Sequence, residues 1–448
     1  MALTLPAHPD PLADRLHTSG LLHELAHGLG GPFHYLLPER FDANLADFRA
    51  ALTEAGVEGR VHYAKKANKA AVFIDRCAAA GAGVDVASLG ELREALGYGV
   101  RGEDLVVTGP AKSGQLLDVA VRQGALIAVD ALDELERLLA LAGHRPARVL
   151  LRRHPPSQRR SRFGLDDAQL HEALQRCADA GDAVRMEGFS FHLSGYEIQE
   201  RADLAGELVG LSLEARALGL QADRISIGGG FPVDYVPADA WDTFLAENDP
   251  EHYHGHKAFT TGDFYPYHSP VAGADALRAI LATHPGGSGA SLAERLRQAG
   301  VMLLLEPGRA LLDRAGSSVF RVQGVKDRTG YGIVTVDGTS LSLSEQWFNS
   351  EYLPEPALLP RGDREDGPYE ACVGGASCLD SDLLTWRRIR FPTRPRFGDL
   401  LVYPNTAGYQ MDSNESPFHE LPLPPKVVID HPDANGRPRW RLDRRPAG

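Results

Sequence analysis

Apolar residues alternate between two spacings from about residue 61 to residue 306. Short apolar or β-branched runs predict buried strands, and the Ala- and Leu-rich segments between them have the spacing of amphipathic helices. Eight such units over about 250 residues favour a closed (β/α)8 barrel over an open sheet. The predicted strands are 61–66, 83–87, 104–109, 126–131, 148–153, 188–193, 224–229 and 301–306, with helices at 69–80, 89–98, 113–123, 132–143, 166–180 and 202–219.

The pattern changes after about residue 310, where short β-like runs are separated by Gly and Pro. This sequence pattern predicts a mostly β C-terminal domain, either a barrel or a sandwich. The segment 32–40 (PFHYLLPER) is also strand-like, and we expect it to pair into that domain. The predicted fold class is therefore α/β, with an N-terminal segment, a TIM barrel and a β domain over residues 1–45, 46–310 and 311–448.

The connection between the seventh and eighth predicted strands, 231–300, is long for a βα unit and rich in aromatic and His residues. Chemistry in this fold is located at the C-terminal ends of the strands, where long loops often form lids or specificity pockets. We therefore expect this segment to lie on the catalytic face.

Charge and cysteine content narrow the class of protein. A formal net charge of -13 argues against a nucleic-acid or anionic-membrane surface. The basic run 159–162 is a local exception, and such runs are usually solvated loops. The chain has no apolar stretch of membrane-spanning length and no signal pattern, and its four cysteines form no CxxC pair, which together predict a cytoplasmic protein.

Polar residues and glycines lie at the predicted C-terminal ends of six strands. Alternation along the first strand would place His62, Ala64 and Lys66 on one side. Burial beside a small alanine would then lower the pKa of the Lys66 amine enough to make it nucleophilic. The strand-end residues are Lys66, Asp85, Ser88, Arg152, His192, Gly228, Gly229, Gly230 and Glu306.

Three motifs allow more than one interpretation. The triplet 228–230 could bring backbone NH groups close to a phosphate, or it could be a flexible turn. The run 306–309 could bind an anion through Arg309, or it could be a salt-bridged turn. An HExxH pattern at 23–27 fits a zinc peptidase, but His34 falls one residue late for the third ligand of the extended motif. We favour an amphipathic helix there and predict no metal site.

Ten short motifs occur in one order along the chain between about residues 32 and 424. Together they resemble the pyridoxal-phosphate-dependent ornithine/diaminopimelate/arginine decarboxylases of the alanine-racemase fold type (fold type III). The motifs are YAKKAN (63–68), GVDVASLGEL (83–92), GPAKS (109–113), RFG (162–164), SFHLSG (190–195), GGGFP (228–232), EPGRALL (306–312), VDG (336–338), CLDSD (378–382) and GDLLVYPNTAGY (398–409).

The resemblance implies pyridoxal 5'-phosphate as the cofactor and a role for each matching position. Lys66 would hold the cofactor as a Schiff base, His192 would stack on its ring, and Glu306 would pair with the ring nitrogen. Cys378 would be a catalytic residue contributed across a head-to-tail homodimer. The implied phosphate-binding set is Ser194, Gly228, Gly229, Gly230, Gly308, Arg309 and Tyr409, and the supporting polar residues are Asp85, Glu91 and Arg152.

The implied activity is decarboxylation of an amino acid. Glu306 argues against the racemases of this fold, which typically place an Arg at the ring nitrogen, but a racemase or epimerase and a catalytically silent homologue are alternatives. Leu379 stands where an acidic residue usually recognises a distal amine, with Asp380 beside it as a substitute, and the Arg expected for diaminopimelate is not found in 340–352. We therefore expect a modified or conjugated amino acid as substrate, rather than ornithine, lysine or diaminopimelate.

Overall fold

The N-terminal part of the protein forms three helices and one strand before the barrel begins. The computed structural model describes residues 3–141, 145–287, 289–343, 350–430 and 438–443. Helix α2, which carries the HExxH pattern, buries one apolar face against β-domain residues such as Val319 and Val427 and is thus the expected amphipathic helix. The elements are α1 (Pro11–Thr18), α2 (Leu21–Leu29), β1 (Phe33–Leu36) and α3 (Pro38–Glu54).

Eight parallel strands close into a barrel, which confirms the predicted fold class. The strands are β2 (Gly59–Ala64), β3 (Gly83–Val86), β4 (Leu105–Val107), β5 (Leu126–Val129), β6 (Ala147–Arg152), β7 (Val184–Ser190), β8 (Arg224–Ser226) and β9 (Met302–Leu305). The helices around them are α4 (Ala71–Ala80), α5 (Leu89–Gly97), α6 (Gly114–Gln123), α7 (Leu132–Leu141), α8 (Asp167–Asp179), α9 (Ile198–Ala217), α10 (Ala238–Glu247), α11 (Gly273–Ala282) and α12 (Leu292–Ala299).

Strand β7 begins at Val184 rather than at the predicted residue 188. The prediction missed this part because the charged residue Glu187 interrupts the apolar run. Glu187 is buried and pairs with Arg148 at 2.6 Å and with Arg224 at 2.9 Å. A polar residue thus belongs to the strand because two guanidinium groups compensate its burial.

Side chains in the barrel interior form layers, and the order of these layers shows that the barrel is open at the C-terminal ends of its strands. Along β6, alternation puts Arg148, Leu150 and Arg152 on one face. Arg148 and Glu187 form an ionic layer. Leu150 packs with Val106, Leu126 and Leu304 in an apolar layer. Arg152 lies one layer higher, at the C-terminal ends of the strands, where the interior is not filled by apolar side chains.

A nine-stranded, mostly antiparallel sheet forms the second part of the protein. Strand β1 lies inside it, antiparallel to β10 and parallel to β16. The proposed domain boundary at residue 45 falls within α3. The strands that follow the barrel are β10 (Gly316–Arg328), β11 (Tyr331–Val336), β12 (Ala357–Leu359), β13 (Tyr369–Gly374), β14 (Leu383–Phe391), β15 (Leu400–Tyr403), β16 (Lys426–Asp430) and β17 (Arg439–Leu442).

The long segment 231–300 packs between the barrel and the β domain. Tyr253 forms a backbone bridge with Arg387 of β14, and the Lys257 amine lies 4.3 Å from the centre of the Trp386 ring. In the described parts of the chain, no helix is long and apolar enough to cross a membrane.

Candidate active site

A cavity of about 300 Å³ opens at the C-terminal ends of the barrel strands. The described residues of segment 231–300 do not line it. The lining residues come from seven βα units: Lys66, Ala87, Thr108, Gly109, Pro110, Ala128, Arg152, Gln158, Ser161, Phe163, Ser190, Phe191, His192, Ser194 and Glu306.

Lys66 reaches the cavity from a turn. The 3-10 turn Lys65–Ala67 follows β2, so strand alternation ends at Ala64 and does not set the direction of Lys66, contrary to the sequence argument. Lys65 is buried and pairs with Glu94 at 2.6 Å. The turn therefore separates two adjacent lysines, one held in an ion pair and the other open to the cavity.

The electrostatic environment of Lys66 also differs from the expectation. Burial by itself lowers the pKa of Lys66, but the nearby Tyr409, Asp85 and Glu306 outweigh it, so the pKa is raised above its usual value. The predicted lowering of the Lys66 pKa by desolvation is therefore wrong. The side chain is open to solvent in the cavity, although protein surrounds it on most sides.

Two carboxyl groups, those of Asp85 and Glu306, lie close enough to this amine to interact with it electrostatically. Asp85 is buried and accepts a hydrogen bond from the Thr108 hydroxyl at 2.7 Å. Burial and the nearby Glu306 raise the pKa of Asp85 to about 7. Glu306, just after β9, accepts a 2.6 Å hydrogen bond from the Ser226 hydroxyl, which also accepts one from the Gly228 NH at 3.2 Å. This chain of bonds fixes Glu306 relative to the glycine turn.

The glycine turn 228–230 requires residues without a side chain. Gly228 and Gly230 have φ values of +66° and +80°, which favour glycine. A Cβ on Gly228 would lie 2.7 Å from Nδ1 of His192. Burial, reinforced by the cations Lys66, Arg152 and Arg201, lowers the pKa of His192 well below its usual value, so its imidazole is neutral at neutral pH.

Arg309 and Tyr409 lie together beside the cavity. Arg309 is buried in the 3-10 turn after β9 and donates a hydrogen bond to the Tyr235 hydroxyl at 3.2 Å. Its guanidinium lies 4.2 Å from the centre of the Tyr265 ring and 5.0 Å from that of Tyr409. A Cβ on Gly308 would lie 2.9 Å from the Tyr409 hydroxyl, which explains the glycine there.

The opposite wall is built around Arg152. Its guanidinium donates to Asp130 at 3.0 Å and lies 4.4 Å from the centre of the Phe163 ring. Ser194 is at the exposed rim, where its backbone bonds twice to the Gln158 amide. Sequence reasoning thus located Arg152 and Ser194 at the cavity but missed the partners that hold them.

Two further residues were missed by sequence reasoning. Ser190, the last residue of β7, lines the cavity, and its buried hydroxyl has no hydrogen-bond partner among the described residues. Alternation back from His192 could have identified it. Arg201 on α9 is fully buried and donates to the carbonyls of Ile227 at 2.9 Å and Gly195 at 3.2 Å. Its position between two loops could not be deduced from a helical pattern.

Cys378, Leu379, Asp380 and Glu91 are among the predicted residues that do not line this cavity. Cys378, Leu379 and Asp380 are exposed between β13 and β14, where the Cys378 NH donates to Nε2 of His419 at 3.3 Å. Glu91 accepts a 2.7 Å hydrogen bond from the Ala87 NH, and so supports the loop after β3. The structure therefore does not bring Cys378, Leu379 or Asp380 to the cavity.

Comparison with known proteins identifies the family of this chain. The profile described as "Pyridoxal-dependent decarboxylase, pyridoxal binding domain" matches residues 40–248. The uncharacterized protein y4yA of Sinorhizobium fredii is 41% identical over 434 residues, covering 95% of this chain and 93% of that protein. The chain belongs to the pyridoxal-dependent decarboxylase family.

Other members of the family align over almost the same length. The diaminopimelate decarboxylase of Deinococcus radiodurans is 29% identical over 437 residues, covering 95% of each chain. The crystal structure of diaminopimelate decarboxylase from Helicobacter pylori, complexed with L-lysine, superposes with a TM-score of 0.71 at 18% identity, covering 92% of this chain and 93% of that one. This structural similarity to the Helicobacter pylori enzyme supports the assignment of the fold.

The residues of this decarboxylase-family chain fit pyridoxal 5'-phosphate, the cofactor of the family. An amine (Lys66), a carboxylate (Glu306) and a neutral imidazole (His192) border one cavity. The orphaned Ser190 hydroxyl and the glycine turn, where a Cβ would clash, offer the donors and the space that a phosphate needs.

Proposed function

We propose that the protein decarboxylates an amino acid, or an amino-acid conjugate, at Cα. The observation that carries the proposal is that Lys66 and Glu306 line one cavity and that the Ser226 hydroxyl links Glu306 to the glycine turn by hydrogen bonds. Pyridoxal phosphate, when bound, withdraws electrons from the substrate's Cα and so lowers the barrier to loss of CO2.

We assign a separate task to each side chain. The Lys66 amine attaches the cofactor, and its Nζ can hold a proton close to the substrate's Cα after CO2 has left. The Glu306 carboxylate holds a proton at the ring nitrogen, kept in place by the Ser226 hydroxyl at 2.6 Å. Arg309, the Ser190 hydroxyl and the glycine-turn NH groups would bind the phosphate, and His192 would pack on the ring.

We further propose that the active unit is a homodimer in which Cys378 completes the partner's site. Its loop is exposed and lies outside the cavity of its own subunit, which is consistent with a contribution across an interface. Leu379, also exposed, offers no charge to a distal amine. A substrate other than ornithine, lysine or diaminopimelate accounts for this.

The test combines absorption spectroscopy with CO2 measurement. Wild-type protein loaded with pyridoxal phosphate is expected to show the visible band of a lysine-bound cofactor, and Lys66→Ala is expected to lose both the band and CO2 release by several orders of magnitude. Lys326→Ala, a change at an exposed lysine of β10, is the control. Absence of the band in the wild type would contradict the cofactor assignment.

The alternatives give different results with a panel of L- and D-amino acids, diamino acids and carboxylated conjugates. A decarboxylase releases CO2 from at least one of them. Loss of stereochemistry at Cα without CO2 release would instead identify a racemase, and a band with neither reaction would favour a silent homologue.

A further inference from the structure

A shallow groove continues from the cavity to the outer surface of the barrel. It is formed by the loop between β6 and α8 together with Ser194, and it measures about 670 Å³. Gln158, Ser161, Phe163 and Ser194 line both the groove and the cavity. The far end of a molecule that reacts in the cavity would therefore enter this groove.

The groove is strongly basic. Its lining contains Arg159, Arg160 and Arg162, with no Asp or Glu. All three side chains are exposed, and none forms an ion pair with an acidic residue in the described parts of the chain. Such a concentration of cations is unusual in a chain with 60 acidic and 47 basic residues. Among the residues that line the groove, Ser157 donates a hydroxyl hydrogen bond to Glu200.

Several contacts fix the loop in place. The Gln158 side chain bonds to the NH and the carbonyl of Ser194, at 3.3 and 3.1 Å, and so links two neighbouring βα loops. The Phe163 ring lies 4.4 Å from the Arg152 guanidinium and 4.9 Å from that of Arg162. Arg152 and Phe163 line the cavity, and Phe163 in turn contacts Arg162. These contacts fix the position of the loop arginines relative to the cavity.

We propose that this groove, through Arg159 and Arg160 above all, binds a carboxylate at the distal end of the substrate. A guanidinium pairs with a carboxylate through two parallel hydrogen bonds, and the absence of competing acids in the groove lining leaves these donors available. The substrate is then an amino acid with an anionic far end. This inference rests on the proposed function, since it assigns the substrate class of the same site.

Probes of equal length but different charge test the proposal. Nε-succinyl-L-lysine carries a distal carboxylate, and Nε-butyryl-L-lysine is its neutral match. A shorter series consists of L-2-aminoadipate, L-norleucine and L-lysine. Binding to the cofactor-loaded protein is measured by calorimetry, and CO2 release is measured in parallel.

The anionic probe of at least one series is expected to bind roughly 5- to 10-fold more tightly than its neutral match. The ratio should fall towards one in Arg159→Gln/Arg160→Gln. It should also fall with salt, because the screening length shrinks from about 30 Å to about 3 Å between 0.01 and 1 M ionic strength. The control Arg185→Gln/Arg439→Gln removes the same charge at exposed positions elsewhere and should keep the ratio.

The results separate the two proposals. A ratio near one in the wild type for both series, or an unchanged ratio in Arg159→Gln/Arg160→Gln, overturns the groove assignment even if CO2 is released. Selective binding of the anionic probe without CO2 release supports the groove and counts against decarboxylation.

Discussion

Single residues around the cavity act largely through the loops that they hold. Arg201 is the clearest case, because this buried guanidinium connects the carbonyls of Ile227 and Gly195, which flank the glycine turn and His192. Burial lowers the pKa of Arg201 to about 10, so it is still a cation at neutral pH and adds positive potential beside the phosphate-binding turn.

Arg201→Met is expected to weaken retention of pyridoxal phosphate roughly tenfold or more, because two charge-assisted hydrogen bonds are lost. The apparent dissociation constant from a cofactor titration measures this. Arg216→Met is the matched control, since Arg216 lies on the same helix and binds loop carbonyls of Ala222 and Ala299 near the other end of the barrel. Equal loss of cofactor in both variants would show a general loss of stability instead.

Gly228→Ala is expected to reduce cofactor binding far more than Gly255→Ala. Both glycines have φ near +60°, so both variants carry the roughly 1–2 kcal/mol cost of an L-residue in this conformation. Only at Gly228 would the added methyl group meet His192, because nothing lies within 4 Å at Gly255. Cofactor affinity and Tm together separate the two effects, and similar affinities would refute the role of the turn.

At the scale of elements, the long segment 231–300 joins the barrel to the β domain, and its described residues do not line the cavity. Its tyrosines pack around Arg309, and Tyr267 lies edge to face with Tyr352 at 5.6 Å between ring centres. Next to Tyr352, the buried Glu351 accepts backbone NH bonds from Arg387 of β14. The junction between this segment and the β domain therefore includes the buried Glu351 carboxyl group, whose ionisation is unfavourable.

The junction should make stability depend on pH. Burial raises the pKa of Glu351 from 4.5 to about 7, so the folded state binds its proton more tightly than the unfolded state. The resulting stabilisation is fully present below about pH 4.5 and is lost as pH rises through about 7. Glu351→Gln should therefore flatten the fall in Tm between about pH 5 and 8, by an amount equivalent to about 1–3 kcal/mol.

Calorimetry across this pH range measures the effect for wild type and variant. Glu365→Gln, at an exposed carboxyl of the same domain, should leave the pH profile unchanged. A wild-type profile without this fall, or an identical fall in Glu351→Gln, would rule out Glu351 as its source.

At the scale of the whole molecule, the proposed dimer has a specific consequence. Lys66→Ala and Cys378→Ala are each expected to be nearly inactive alone. Mixing them under conditions of subunit exchange should restore up to about a quarter of wild-type CO2 release, because half of the dimers are then mixed and each has one intact site. No recovery, with exchange demonstrated by mass spectrometry, would show that Cys378 acts within its own subunit or not at all.

The amino-acid sequence determined the order and type of the barrel elements. Buried parallel strands are continuous apolar runs and the helices are amphipathic, so local periodicity was sufficient for most of them. It failed at Glu187, where a buried ion pair concealed the start of β7, and it did not predict α10, α11 and α12 within 231–300. The sequence motifs also indicated the family and its cofactor, and placed Lys66, His192 and Glu306 at strand ends.

Tertiary structure alone decided how these residues are held and what surrounds them. The turn that directs Lys66 into the cavity, the carboxyl groups that raise its pKa, and Arg201 beneath the glycine turn all depend on contacts between residues far apart in sequence. The same holds for the basic run 159–162, which the sequence presented as a solvated loop. Only the closed barrel brings it beside Ser194 at the mouth of the cavity, because loops from neighbouring strands meet there.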